Sequence, residues 1–222
     1  MRAIGIAVAI VLALGGQAAF ADQYEVGVHY ERLPIAVDTA DPSKIEVVEV
    51  FSYGCPHCFA FEPAIEAWRA KQPSDVYLRR VPAVFRSEWK ILARAYYAAE
   101  VLGVVDKVHE PIFEAIHVQG LNGEDPAVLA KIFQDSAGID SEQFLKVLNS
   151  FGVTSKVQQA DALARMYRIP GVPTLIVNGK YRVNAGQVVG TNAEMLDVVD
   201  YLVAKERAAR KDAAKQTSTT AH

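Results

Sequence analysis

Cys55 and Cys58 are the only cysteines in the 222-residue sequence, and they stand together as Cys55-Pro56-His57-Cys58. Two thiols at this spacing can hold a metal or exchange a disulfide. Zinc needs four ligands, and the histidines outside the motif, His29, His109, His117 and His222, offer no second pair at zinc-ligand spacing. A c-type haem needs a histidine directly after the second cysteine, where this chain has Phe59. Redox exchange therefore leads. A purely structural disulfide is the weaker account, because closing so short a loop constrains the unfolded chain little.

The residues after Cys55 open a helical stretch, and Pro56 suits a first turn in which its missing N–H costs nothing. Amides at that helix start point at the Cys55 sulfur without an acceptor of their own, so they favour a thiolate. Cys55 is expected to be the exposed, low-pKa nucleophile, and Cys58, one turn on and deeper, the resolving thiol. His57 adds a donor or a positive charge beside the developing thiolate, although an ordinary exposed helix residue is the plainer account of it. Glu49 shares a strand face with Ile45, Val47 and Phe51. A carboxylate among apolar neighbours is costly unless paired or protonated, which makes Glu49 a candidate proton relay to the resolving thiol. Val172 and Pro173 open a later strand, in the run Gly171-Val172-Pro173-Thr174, where proline is tolerated.

These groups need a scaffold. Ile45–Phe51 reads as a strand covered on both faces, the stretch after Cys55 as a helix to about Lys71 kinked by Pro63, and Val76–Val81 as a second, parallel strand. From Trp89 to Arg168 the apolar period is helical, with Gly103 a stop and Pro111 bending or delaying one segment. Asp125, Ser141 and Thr154 are the expected caps within this stretch. Asn178-Gly179 between two apolar runs predicts a hairpin, because a type I′ turn needs positive φ at both positions. Thr191 to Glu194 forms a capping box before a last helix towards Arg210. The resulting division is 22–84 with 169–210 as one α/β unit, 85–168 as an inserted helical domain, and 211–222 as a frayed or disordered tail.

A net charge of −3 argues against nucleic acid held by bulk electrostatics. Residues 1–21 carry Arg2, an apolar core from Ile4 to Leu14 and a small-residue close at Ala19-Phe20-Ala21, the pattern of a cleavable export signal. An exported chain enters a compartment where disulfides persist.

The run Glu49-Val50-Phe51-Ser52-Tyr53-Gly54-Cys55-Pro56-His57-Cys58-Phe59-Ala60-Phe61-Glu62, with Gly171-Val172-Pro173-Thr174 and Val177-Asn178-Gly179-Lys180-Tyr181, resembles the DsbA-type periplasmic thiol:disulfide oxidoreductases. The resemblance implies a thioredoxin fold, α/β in class, with an all-helical domain inserted between its halves. It implies that Cys55 is the nucleophilic and leaving sulfur, that Pro173 is cis and faces the disulfide, and that the Val172 backbone receives an extended substrate. Glu49 would match the family's buried acid. The Cys55–Cys58 disulfide would be the only redox group, with no added cofactor or metal. Reduced, unfolded exported proteins would be the substrates of a monomeric enzyme, reoxidised by a membrane quinone reductase of the DsbB type. A reductase or isomerase on the same fold, and a redox-inert peptide-binding module, are the alternatives.

Overall fold

A computed structural model describes residues 23–185 and 190–219; the expected export signal lies outside them. Five strands form one sheet in the order β1-β5-β4-β2-β3. Its centre is β2 (Ile45–Phe51), every residue of which is buried, Glu46 and Glu49 included, as expected of a strand covered on both faces. It pairs in parallel with β3 (Val76–Pro82), Glu49 lying opposite Arg80. On its other side it pairs antiparallel with β4 (Thr174–Val177), Glu49 opposite Leu175. β4 pairs antiparallel with β5 (Tyr181–Asn184), and β5 with the two-residue edge strand β1 (Glu31–Arg32), which the sequence reading did not include.

Between β2 and β3 runs helix α1 (Pro56–Arg69). Pro63 sits inside it without ending it. Five further helices follow β3: α2 (Trp89–Leu102), α3 (Val105–His117), α4 (Pro126–Ala137), α5 (Ser141–Leu148) and α6 (Phe151–Met166). Gly103 ends α2 in the left-handed conformation, as read. Pro111 lies within α3, which neither starts late nor breaks there. Two expected caps shift. The Asp140 side chain, not Ser141, accepts the Gln143 N–H, and Ser150, not Thr154, accepts the Val153 N–H. Each true cap lies upstream of the residue expected, and the first apolar residue to be buried, Phe144 or Val153, follows it within about a turn.

The hairpin forms with positive φ at Asn178 and Gly179, and Val177 pairs with Tyr181. The capping box also closes: the Thr191 N–H donates to Glu194 and the Glu194 N–H to Thr191 Oγ1. The last helix, α7 (Asn192–Thr219), corrects the reading of a disordered tail over residues 211–219, the remainder of that tail lying outside the described residues. The alanines and lysines there lack an apolar period but have high helix propensity, so they extend a helix already nucleated by the packed residues Leu196, Val199 and Val203. Arg210, at the junction, donates to the Lys44 carbonyl.

Two apolar clusters sandwich the sheet. Ile45, Val47, Leu175 and Val183 face α1 and α7 through Phe61, Ile65 and Val199. Val48, Val50 and Ile176 face the helical insertion. The active-site motif lies where the two meet.

Candidate active site

Cys55 is the N-cap of α1, with extended backbone, and Pro56 is the first helical residue. Its sulfur therefore sits over the unsatisfied amides of the first turn. The Cys58 side chain and the Cys58 and His57 amides point at Cys55 Sγ, and the His57 ring lies nearby. Together they outweigh partial burial and lower the Cys55 thiol to about 6. Cys58 is fully buried, and desolvation pushes its thiol well above the ordinary range. Both cysteines are free thiols in this structure.

One expectation needs correction: Cys55 is only 6% exposed, against 0% for Cys58. The reason is a segment far along the chain. Cys55 Sγ lies 3.5 Å from the Val172 carbonyl oxygen, its thiol the donor. The Val172–Pro173 peptide bond is cis. Beside this contact opens a cleft of about 440 Å³ lined by His57, Ala60, Gly171, Val172, Pro173 and Thr174. His57 is exposed where it lines the cleft, and Pro56 is exposed too.

Glu49 is fully buried, and desolvation pushes its carboxyl up to about 7 despite Arg80. The Arg80 Nε donates to Glu49 Oε2 at 3.0 Å. Arg80 also donates to Glu62 Oε1 at 2.9 Å and to Glu66. Three carboxylates thus share one guanidinium behind the cysteines, and their combined negative charge is what one cation cannot fully offset. Sequence reading singled out only Glu49 from this group. Glu62 and Glu66 had a signal, since residues 58, 62, 65 and 66 fall on one side of α1, so Glu62 had to be buried beneath Cys58. Arg80 had a weaker one, a charge in a strand otherwise bound for the core.

His109 and His117, which the sequence excludes as a zinc-ligand pair, both touch this region. The Tyr53 hydroxyl lies 2.7 Å from His109 Nδ1, and His109 Nε2 lies 3.2 Å from Glu62 Oε1. His117 Nε2 lies 2.8 Å from the Tyr53 carbonyl, and its ring stacks on Phe59. Trp89 packs over Gly54, where a Cβ would stand 2.8 Å from the indole nitrogen, while Tyr96 and Tyr97 are buried in the core.

Residues 78–202 match the family model of the DSBA-like thioredoxin domain, a segment that includes Pro173 and begins after the two cysteines. The thiol:disulfide interchange protein DsbA of Pseudomonas aeruginosa is 44% identical over 198 residues, covering 89% of this chain and 93% of that protein. Its counterpart from Azotobacter vinelandii is 47% identical over 186 residues, 84% of this chain and 86% of the relative. The crystal structure of Pseudomonas aeruginosa DsbA superposes with a TM-score of 0.81 at 43% identity, covering 86% of this chain and 98% of that one. By sequence, by architecture and by the arrangement around its two cysteines, the chain belongs to the DsbA family of thioredoxin-fold proteins.

Proposed function

We propose that this protein is a dithiol oxidase that donates the Cys55–Cys58 disulfide to reduced, unfolded exported proteins. The carrying observation is the contrast between the two thiols, one lowered to about 6 and its neighbour raised by burial. A substrate thiolate attacks Cys55 Sγ, the bond to Cys58 breaks, and a mixed disulfide forms at Cys55. A second substrate thiolate then attacks the substrate sulfur, and Cys55 leaves as a thiolate. Each unit by which its pKa is lowered stabilises that leaving group by about 1.4 kcal/mol, which drives electrons from substrate to enzyme.

The cleft beside Val172 and Pro173 suits an extended peptide, with the Val172 backbone offering strand-like hydrogen bonds next to the reacting sulfur. His57 supports the thiolate, and Pro56 fixes the first turn. The Cys55–Cys58 pair is the sole redox group in this reading. Its reoxidation falls to a membrane quinone reductase of the DsbB type, and its setting is the periplasm, to which the leader-like residues 1–21 would direct it.

Equilibration with glutathione tests the direction. A strongly oxidising couple is expected; a strongly reducing couple would make the protein a reductase, and a disulfide that never exchanges would make it an inert peptide-binding module. Cys58→Ala is expected to trap mixed disulfides with exported proteins through Cys55, and the absence of any trapped species counts against the substrate class.

A further inference from the structure

The oxidase reading makes the Val172 backbone the docking edge for substrate, and the segment that carries this edge leaves the end of α6. There the Arg168 N–H bonds to the Arg165 carbonyl at 3.0 Å and the Ile169 N–H to the Ala164 carbonyl at 3.1 Å. This pair of bonds closes a helix end only if the residue after the cap is left-handed. That residue is Arg168, at φ 51°. Helices α2 and α4 end on Gly103 and Gly138 in the same conformation, which glycine adopts without steric cost and arginine does not. Contacts from outside the turn must hold Arg168 in it.

Arg182 of β5 supplies them. Its Nη1 donates to the Tyr167 carbonyl at 3.2 Å and to the Arg168 carbonyl, and its Nη2 pairs with Glu31 of β1, the residue directly across from it in the sheet. One guanidinium thus grips both carbonyls at the exit of α6, where the helix dipole is negative, and the edge strand anchors the guanidinium. Only Ile169, Pro170 and Gly171 separate Arg168 from Val172. Pro170 restricts φ in this span, and Thr174 Oγ1 donates to the Gly171 carbonyl at 2.8 Å. The direction set at Arg168 is therefore carried to Val172, whose carbonyl meets Cys55 Sγ at 3.5 Å. We propose that Arg182, anchored by Glu31, is a positioning residue for substrate: it sets the tilt of the Val172–Pro173 edge against Cys55 and so governs how tightly an extended peptide docks there. The inference rests on the oxidase reading and on Val172 as the docking edge.

Folding alone does not account for the clamp. Arg168 is exposed, so water can satisfy its carbonyl in place of Arg182. Water cannot supply direction. Pairing between a substrate strand and Val172 needs donors and acceptors aligned together, and small misplacements lower both affinity and rate. A small dithiol makes no such pairing. It needs only the Cys55 sulfur, whose lowered thiol owes its acidity to Cys58 and His57. Loss of the clamp should therefore separate peptide substrates from small ones.

The test compares two reductants of the oxidised full-length protein, an uncharged serine-rich peptide with a pair of cysteines and dithiothreitol. In both reactions the reductant's thiols are oxidised to a disulfide while the Cys55–Cys58 bond takes up their electrons and protons. Rates are measured against concentration for wild type, Arg182→Gln, Glu31→Gln, the double variant and Asp140→Ala, a control destabilised by loss of the α5 cap. Arg182→Gln is expected to raise the half-saturating peptide concentration at least about fivefold and to lower the ratio of peptide to dithiothreitol rates by a similar factor. Glu31→Gln should lower the ratio less, and the double variant no further than Arg182→Gln alone. Asp140→Ala should keep the wild-type ratio although its urea midpoint falls. An unchanged ratio in Arg182→Gln, losses that simply add in the double variant, or an equal fall in Asp140→Ala overturns the proposal. Should Arg182→Gln fail to fold, Glu31→Gln decides by the same ratio. A wild-type disulfide that dithiothreitol reduces and the peptide does not would instead overturn the oxidase reading, and this inference with it.

Discussion

Cys55 and Cys58 belong to one helix turn yet differ in acidity because one sulfur caps the turn and the other lies beneath it. The Cys55 thiol is expected to react with iodoacetamide along a titration curve centred near pH 6, and a midpoint near that of a free thiol would remove the basis for its leaving-group role. His57→Ala removes a positive charge beside the thiolate, so it should raise that midpoint and shift the glutathione equilibrium towards the enzyme disulfide. Glu49 makes a prediction of opposite sign. Its carboxyl is raised from the ordinary 4.5 to about 7 in the folded protein, so burying it weakens stability as pH rises through that window. Glu49→Gln should therefore gain stability relative to wild type between pH 5 and pH 8, by on the order of 2 kcal/mol in urea titrations, while Arg80 keeps Glu62 and Glu66 as partners. The two cysteines, Pro56 and His57 were legible in sequence because their chemistry is local. Arg80 and His109 were not, because their partners come from β2, α1 and the loop at Tyr53, and no periodic pattern encodes a hydrogen bond across those separations.

Elements were legible where one residue dominates the decision. Asn178-Gly179 fixed the hairpin, and at Gly179 the need for glycine is double: φ is +64°, and a Cβ would stand 1.8 Å from the Val37 carbonyl oxygen. Gly179→Ala is expected to cost about 1–3 kcal/mol, read as a lowered urea midpoint, since backbone rather than a flexible side chain must yield. Where several residues compete, the reading slipped. Asp140→Ala should cost about 1 kcal/mol and Ser141→Ala a few tenths at most, the reverse of what a cap at Ser141 would give. The extension of α7 to Thr219 makes the same point from another side. Amphipathic period marks what packs, and a solvated helical run continues on propensity without it.

For the molecule as a whole, the lowered Cys55 thiol ties folding to redox state. Its folded-state value near 6 lies below the ordinary 9.0, so its contribution to stability is fully present above pH 9 and is lost as pH falls through 6. Only the reduced protein carries that thiol. Urea unfolding of both redox forms should therefore show the reduced form gaining on the oxidised one from about pH 6 to 9, and parallel curves would contradict the assignment. The α/β class, the interruption by helices and the return to a hairpin could all be read from the order of periodic patterns. The edge strand β1 could not, since two residues make no pattern.

The contact between Cys55 and Val172 spans 117 residues of chain, and the strand that completes the sheet beside β2 follows it. A chain emerging from its amino terminus therefore presents its cysteines long before the peptide segment that covers them arrives. Until then β2 has an open edge and the helix-capping sulfur has no lid. Assembly of this site is a late event in the life of each molecule, with the slow kinetics that distant pairings impose. A ribosome-stalled or truncated product ending before β4 would expose a reactive thiol and an unpaired strand together.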